Sequence, residues 1–264
     1  EEYWQYVLKQ NVIRVPEGCP TMNQAMDLAV VFSERNECTR ENPVKVVVGE
    51  GEHVMVGVAS DNYYGGLLTH VGCSNITIIG KSKGKTTVLG GLYVKDKQNV
   101  KMEQLGVTNE AGCGLICSGS GTNVDLTECC FKKCQFSGMG ADAGATATAT
   151  RCDFMENDNF GVACYDANTK VRLNDSTLHH NSWDGLLANE HTVVDLHGTK
   201  TDIHSNNTYG IGAVRNGKVN IHLPSQHNTS HDNVDTNRFQ EDGGSIANIN
   251  ADGTFSHVEE VDLS

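Results

Sequence analysis

The sequence predicts an all-β fold, a right-handed parallel β-helix of about seven coils with an N-terminal capping α-helix. Three observations predict it: glycines recur at a near-constant spacing, pairs of apolar residues recur out of phase with them, and proline is absent from the interval 44–223. Proline lacks the N–H that an interior strand must donate, so a long interval without it favours continuous sheet. The punctuating glycines are Gly66, Gly90, Gly114, Gly138, Gly161, Gly185 and Gly210.

The apolar pairs mark short strands. Triplets such as "VDL" at 124–126 and "VRL" at 171–173 have the period-2 pattern of a strand with one buried face. Each period of about 24 residues carries three such pieces separated by turns, and helical spacing is missing. A unit of this kind cannot bury its own apolar face, so it must stack on its neighbours. We expect each coil to pair in parallel with the next, about 4.8 Å away.

Small polar residues recur at the turns with the same period. Asn157, Asn181 and Asn206 form one predicted column, in which stacked amides would hydrogen-bond along the rod and satisfy turn backbone. A second predicted column consists of small side chains at Cys129, Cys152, Ser176 and Thr199. We interpret the cysteines mainly as small apolar residues, with a redox or metal role as the alternative, for which "CCFKKC" at 129–134 is the best candidate.

The two ends of the chain differ from the repeats at 44–223. In the segment 1–43, the strand "VIRV" at 12–15 is followed by a predicted helix of about 14 residues, with Thr21 and Gln24 in capping-box spacing. We expect this helix to cover the open end of the rod, where a bare sheet edge invites aggregation. The segment 224–264 is polar and poorly periodic, which predicts a loosely packed cap ending in one or two strands.

Composition limits the partners. The formal net charge of −13 argues against nucleic acid, whose phosphates would be repelled. No apolar run approaches the roughly 18 residues of a membrane span, and no signal-peptide pattern is present. We therefore expect neither a nucleic-acid nor a membrane partner. The absence of an initiator Met suggests a mature or excised part of a longer chain, and the sequence assigns no cellular compartment.

The lead-in "IRVPEGCPTMNQAMDLA", the following "VKVVVGEGEH" and the coils with "NxxxxG" punctuation resemble the pectin-lyase-like superfamily of right-handed β-helices, over about 12–223. That resemblance implies the solenoid fold but no single activity, because the superfamily includes polysaccharide lyases, hydrolases, esterases, epimerases and non-catalytic modules. The motifs of its enzymes are missing from this sequence. There is no "GHG" and no "RxPxxR", and "YGIGAV" at 209–214 departs from the epimerase "YGxDPH".

Stacking could still build a catalytic site. Aligned on their glycines, Asp166, Glu190 and Arg215 fall in one column, five residues after each Gly. Two carboxylates one coil apart could split their pKa values for acid–base work on a glycan, with Arg215 assisting. The alternative interpretation is that an acidic rod simply carries these charges at its turns, with Arg215 neutralising Glu190.

Histidines and aromatic residues are the candidate ligand-binding residues. The alignment predicts that His179 neighbours His204 and that His197 neighbours His222. Such pairs could hold a metal, but chance surface placement explains them as well, so we assign no metal ligand and no cofactor. Tyr165 and Trp183 are candidates because exposed aromatic rings can stack on sugars, although a turn-filling role is equally compatible.

Three functions fit these observations. The favoured hypothesis is a non-catalytic β-helix module that binds a polysaccharide or protein partner along a rigid flank. The alternative is a carbohydrate-active enzyme that uses Asp166, Glu190 and Arg215 on an outward coil face. The third is a structural spacer. An enzyme should show a groove with carboxylates on its floor, and a binding module should show a flat face of aromatic or Asn/Thr rows without a cleft.

Overall fold

In the computed structural model, which describes residues 11–59, 66–224 and 230–256, the chain winds as a right-handed solenoid of about seven turns. Each coil contributes one strand to each of three sheets, which we call A, B and C, and successive coils pair in parallel. Antiparallel pairing between named strands of the described residues occurs only at the two ends, between β4 (Val58–Ala59) and β5 (Leu67–His70) and between β27 (Ser245–Ile249) and β28 (Phe255–Ser256). The predicted fold class is confirmed.

Neighbouring strands within each sheet come from successive coils, and they pair in the following order. Sheet A consists of β1 (Val12–Val15), β2 (Val44–Val48), β6 (Ile76–Ile79), β9 (Val100–Glu103), β12 (Asn123–Thr127), β15 (Thr146–Thr150), β18 (Lys170–Asn174), β21 (Val193–His197), β24 (Lys218–His222), β27 and β28. Sheet B consists of β3 (Gly51–Val54), β7 (Thr86–Leu89), β10 (Gly106–Thr108), β13 (Cys130–Lys132), β16 (Asp153–Met155), β19 (Thr177–His179), β22 (Asp202–His204) and β25 (Ser230–His231). Sheet C consists of β4, β5, β8 (Gly91–Lys95), β11 (Leu115–Ser118), β14 (Met139–Asp142), β17 (Val162–Cys164), β20 (Leu186–Ala188), β23 (Tyr209–Ala213) and β26 (Thr236–Gln240).

The core fills the inside of the rod with one layer per coil. Val171 pairs with Val194 and Leu173 with Leu196, and all four are buried, as the apolar pairs predict. Aromatic rings also stack in register, with the centroids of Phe131 and Phe154 5.3 Å apart and their planes 7° apart. Because equivalent positions of successive coils lie above one another, each inward side chain packs against a similar side chain in the coil before it and in the coil after it.

The predicted asparagine column is present and buried. The Asn157 amide Nδ2 donates to Asn181 Oδ1 at 2.9 Å, and Asn181 Nδ2 donates to Asn206 Oδ1 at the same distance. Asn233 extends the column by one coil, because its Oδ1 accepts from Asn206 Nδ2 at 2.9 Å. The column therefore satisfies polar groups at the turn between sheets B and C that would otherwise be buried without partners.

The column of small residues departs from its prediction at one position. The Ser176 hydroxyl accepts from the Cys152 N–H at 3.1 Å, so Cys152 and Ser176 stack as expected. Thr199 is exposed, and the Thr201 hydroxyl instead bonds to the His197 carbonyl, as the Ser176 hydroxyl does to that of Asn174. The reason is the longer turn in this coil, which the spacing of the preceding coils does not anticipate.

The N-terminal helix α1 spans Met22–Arg35, in agreement with the predicted length. The Thr21 hydroxyl caps it by accepting from the Gln24 N–H at 3.3 Å. Its buried face, which includes Ala25, Ala29 and Phe32, joins the core of the solenoid. α1 is thus part of the hydrophobic core and packs against β1 and β2.

The regular winding continues past residue 223. Strands β25, β26 and β27 pair in parallel with β22, β23 and β24, which adds a further coil to all three sheets. The residues of β26 and β27 are mostly half-buried.

All ten cysteines lie in the described residues, and each is a free thiol. Nine of them are buried, which fits their interpretation as small apolar residues. Among the described residues, no helix has the length and apolar character needed to span a bilayer.

Candidate functional site

A groove of about 300 Å³ runs along the outer face of sheet C, across β11, β14, β17 and β20. Its floor is low because the outward positions of β14 and β17 are Gly140 and Ala163. A Cβ on Gly140 would lie 2.5 Å from Ile116 Cδ1, so the bare backbone there lets Ile116 pack beneath the groove. We call this feature the sheet C groove; its walls are formed by Phe136, Phe160 and Trp183 on one side and by Asp142, Tyr165 and Asn189 on the other.

The first wall is aromatic, because three successive coils each place a ring just before a strand of sheet C. Trp183 is 53% exposed, and its indole meets the ring of Phe160 edge-on, with centroids 5.3 Å apart. Phe160 is itself only 8% exposed. The buried ring therefore supports an exposed one, which presents an apolar face to the groove.

The second wall is polar and lies where the same strands end. The Tyr165 N–H donates to the Ala141 carbonyl and the Asn189 N–H donates to the Cys164 carbonyl, both at 2.9 Å, so the wall residues follow the parallel register. Asn189 is 8% exposed, and its Oδ1 has no hydrogen-bond partner among the described residues. A buried amide oxygen without a donor is costly, and a donor arriving from a ligand would remove that cost.

The structure thus brings two of the predicted ligand-binding residues, Tyr165 and Trp183, onto opposite walls of one groove. Sequence reasoning missed the other four wall residues, Phe136, Asp142, Phe160 and Asn189. A signal for them exists, since the aromatic residues come one or two positions before a punctuating Gly and the polar residues four positions after it. The residues at these two offsets are too varied to stand out before the groove is known.

The predicted catalytic column is placed in register at the turn that follows sheet C. Arg215 Nη1 lies 3.0 Å from Glu190 Oε1; the Arg215 side chain is exposed and that of Glu190 is half-buried. The Asp166 carboxylate, also exposed, accepts from the Ala143 N–H at 3.1 Å. The structure brings Glu190 and Arg215 together as a surface ion pair, and it directs the Asp166 carboxylate to the backbone of the preceding coil.

The first predicted histidine pair belongs to a longer stack on the outer face of sheet B. The rings of His179 and His204 are 5.1 Å apart and inclined by 2°, and His231 continues the stack 5.3 Å beyond His204. Partial burial, followed by the neighbouring His204 and His180, lowers the pKa of His179. Partial burial also lowers the pKa of His204, with the nearby Asp202 opposing this shift.

His231 behaves in the opposite way. Partial burial alone would lower its pKa, but hydrogen bonds to two carboxylates outweigh that effect and raise it. Its Nδ1 lies 2.8 Å from Asp232 Oδ2, and its Nε2 lies 2.9 Å from Asp202 Oδ1. The stack therefore combines two imidazoles that favour the neutral form with one that favours the charged form.

The second predicted pair lies on the outer face of sheet A. The rings of His197 and His222 stack at 3.9 Å, and His222 Nε2 lies 2.9 Å from Asp195 Oδ1. Partial burial alone would raise the pKa of Asp195, but hydrogen bonds from His222 and Asn220 outweigh it and lower that pKa. The pKa of His197 is lowered by partial burial and by the neighbouring His222 and Arg172 side chains.

Comparison with known proteins is informative for the fold. The family model described as "Right handed beta helix region" matches residues 66–233. No curated protein matches the sequence. Among solved structures, the Agl-KA catalytic domain superposes with a TM-score of 0.53 at 15% identity over 85% of this chain, and the chain spans 46% of that domain. The A-module of the mannuronan C-5 epimerase AlgE4 from Azotobacter vinelandii gives 0.50 at 14% identity, covering 91% of this chain and 82% of the module.

Proposed function

The chain belongs to the family of right-handed β-helix proteins, and from this premise we propose that it binds a neutral glycan in the sheet C groove. The site is a groove, which departs from the flat face expected of a binding module, but the outward strand residues on its floor, which include Gly140 and Ala163, are apolar and not the carboxylates expected of an enzyme. The observation that carries the proposal is the pairing of an aromatic wall with a polar wall across this apolar floor. A sugar ring has the same two-sided character, with C–H groups on its faces and hydroxyls around its rim.

The aromatic wall supports stacking. Trp183 is a large exposed apolar side chain in a chain that buries most of its apolar residues, and Phe160 fixes its orientation from below. An indole that packs against the face of a sugar removes apolar surface from water, and each Å² of apolar surface buried in this way contributes about 25 cal/mol of favourable free energy. A rigid ring also loses little conformational freedom on binding.

The polar wall supports recognition of hydroxyl groups. The unpartnered Asn189 Oδ1 can accept a hydrogen bond from a sugar hydroxyl, and the Tyr165 and Asp142 side chains line the same wall. Such a bond would be favourable because the oxygen is already removed from water in the free protein. The desolvation cost of this oxygen therefore does not have to be met on binding.

Charge supports a neutral rather than an acidic glycan. The chain carries a formal net charge of −13, and the polar wall itself includes the carboxylate of Asp142. Uronate or sulfate groups would be repelled both by the whole molecule and by the groove. The volume of about 300 Å³ lies at the small end of ligand pockets and suits a mono- or disaccharide segment of a longer chain.

The test is a glycan panel, neutral and acidic, in which binding and product release are both measured. We expect binding to a neutral glycan without release of product. We expect Trp183→Ala and Asn189→Leu each to weaken it by about tenfold or more, which corresponds to about 1.4 kcal/mol. The matched controls are Asp166→Asn and Glu190→Gln, which remove charge at the neighbouring turn and should leave the affinity unchanged.

Each other outcome counts against the proposal. No binding to any glycan, or binding that survives Trp183→Ala and Asn189→Leu together, would overturn it. Binding confined to acidic glycans would contradict the charge argument. Release of product that depends on Asp166 or Glu190 would replace the binding role with the enzymatic alternative.

A further inference from the structure

We propose that Asp195, His197 and His222 on the outer face of sheet A form a binding site for a divalent transition-metal ion of the Zn²⁺ class. One ligand atom from each residue lies within 4.8 Å of the other two. All three residues are half-buried, which leaves them accessible from solvent. The site lies on a different sheet from the glycan groove, so the two proposals stand independently.

The parallel register of β21 and β24 brings the three residues together. Leu196 pairs with Ile221, so the outward neighbours on both strands share one face of the sheet. Asp195 and His197 are two residues apart and therefore project to the same side. His222 is the residue after Ile221, and its ring stacks on that of His197 at 3.9 Å.

The hydrogen bonds show which atoms converge. Arg172 Nη2 can only donate, so His197 Nε2, which lies 2.9 Å from it, presents a lone pair. His222 Nε2 donates to Asp195 Oδ1 at 2.9 Å, because a carboxylate can only accept. A metal ion would take the His197 lone pair once the guanidinium, which keeps its protons, has turned away. The Nε2 proton of His222 would pass to its own Nδ1 or to solvent, which frees the Nε2 lone pair and the Asp195 carboxylate to coordinate.

The donor set selects the kind of ion. Two imidazole nitrogens and one carboxylate oxygen suit Zn²⁺ and related transition metals. Ca²⁺ and Mg²⁺ prefer oxygen ligands, and only one of the three side chains in this cluster, the Asp195 carboxylate, offers oxygen. Three protein ligands leave a coordination position open to water or to a ligand. Asn220 Nδ2 donates to Asp195 Oδ1 at 3.0 Å and orients the carboxylate, as outer hydrogen bonds do in metal sites.

Arg172 opposes the metal and supplies the sharpest test. Its guanidinium occupies the Nε2 lone pair of His197, and its positive charge repels a cation. The side chain is exposed, so it can turn into solvent when a metal binds. Removing it should therefore strengthen metal binding, whereas a purely structural hydrogen-bond cluster predicts no such gain.

The experiment is calorimetric titration of the protein with ZnCl₂, and with CaCl₂ for comparison. We expect one Zn²⁺ per chain and no Ca²⁺ binding at this site. His197→Gln and His222→Gln should each weaken Zn²⁺ binding by more than the roughly 10- to 100-fold typical of an outer hydrogen-bond partner. Arg172→Gln should tighten it by several-fold. The matched control is His204→Gln, which removes a half-buried stacked histidine from sheet B and should leave the affinity unchanged.

Three results would each overturn the proposal. The first is a failure to bind Zn²⁺ in both the wild-type protein and the Arg172→Gln variant. Binding could also persist in the double variant His197→Gln/His222→Gln, or be lost on His204→Gln, which would place the ion elsewhere. Because Arg172→Gln predicts a gain, a variant that merely unfolds cannot imitate the expected result.

Discussion

The indole of Trp183 meets the ring of Phe160 edge-on, with centroids 5.3 Å apart and planes inclined by 80°. One ring is exposed and the other buried, and they belong to adjacent coils. Edge-to-face pairs of this kind contribute about 0.5–1.5 kcal/mol beyond the area they bury. Phe160 is therefore a positioning residue that holds the indole at the edge of the groove.

Replacing Phe160 with a smaller residue should make the indole of Trp183 more mobile. In a Trp4→Phe background, which leaves Trp183 as the single tryptophan, Phe160→Leu should shift the emission of Trp183 to longer wavelength and lower its anisotropy. Glycan affinity should fall by about 2- to 10-fold, the equivalent of the lost pair energy. The measurements are steady-state fluorescence and glycan titration. Phe255→Leu, a change at an exposed ring outside the groove, is the control, and unchanged emission in Phe160→Leu would contradict the positioning role.

The sequence was sufficient to predict the fold because a solenoid repeats one solution. Once the spacing from Gly138 to Gly161 to Gly185 sets the phase, each coil places the residue after its glycine above that of the last, so the neighbours Met139, Val162 and Leu186 follow by counting. Counting residues fails to predict neighbours where a turn changes length, as it does between Leu196 and Ile203. For this reason residue counting placed Thr199 in the column of small residues, although Thr199 is exposed.

The groove was harder to predict because its walls use two unrelated offsets from the glycine, one aromatic and one polar. Phe160 supports the groove because it is buried, and Asn189 contributes an Oδ1 without a hydrogen-bond partner among the described residues. Neither burial nor a missing hydrogen-bond partner can be read from the residue type alone. His231 and Asn233 extend two predicted columns, but they lie after Pro224, where the apolar period fades and only the backbone register identifies them.

The histidine stack on sheet B should make stability depend on pH. His179 faces His180, His204, Asp153 and Glu156, and burial with its imidazole neighbours lowers its pKa. A lowered pKa means that the folded chain binds this proton less readily than the unfolded chain, whose value is about 6.5. The contribution of His179 to the free energy of unfolding is therefore complete above about pH 6.5, and it is lost as the pH falls through the lower pKa of the folded state.

Replacing His179 with Gln should consequently flatten the rise in stability that accompanies an increase in pH towards about 6.5, measured as urea unfolding midpoints in a pH series. His231→Gln is the counterpart, because the pKa of His231 is raised and its contribution is present at low pH and lost as the pH rises. That variant should remove a fall in stability that the wild type shows as the pH rises above about 6.5. Equal slopes in wild type and both variants would show that the stack has no linkage to folding.

The cysteines should be protected from thiol reagents in the folded protein. Burial raises the pKa of Cys113 to about 12 and those of Cys73 and Cys130 to about 11, which leaves little reactive thiolate at neutral pH. Cys38 is the most exposed of the ten. With Ellman's reagent we expect one thiol to react promptly, its loss in Cys38→Ser, and reaction of all ten after denaturation. Prompt reaction of several thiols would contradict the packed core.

The asparagine column should be the most sensitive polar feature of the rod. Asn181 accepts from the backbone and side chain of Asn157, at 3.2 and 2.9 Å, and donates to the Phe154 carbonyl at 3.1 Å and to Asn206. Asn181→Ala leaves several of these buried groups without partners in a space too enclosed for ready hydration. Each unsatisfied group costs about 1–3 kcal/mol, and we expect a total of about 2–4 kcal/mol.

The matched control for this change is Asn174→Ala, at a half-buried asparagine whose Nδ2 makes one bond, 3.2 Å, to the Thr150 hydroxyl. It removes the same atoms from the solvent side of the same coil and should cost about 1 kcal/mol or less. The measurement is the free energy of unfolding in urea. A cost for Asn181→Ala no larger than that of Asn174→Ala would mean that the column merely fills space, since the two variants differ in buried hydrogen bonds far more than in volume removed.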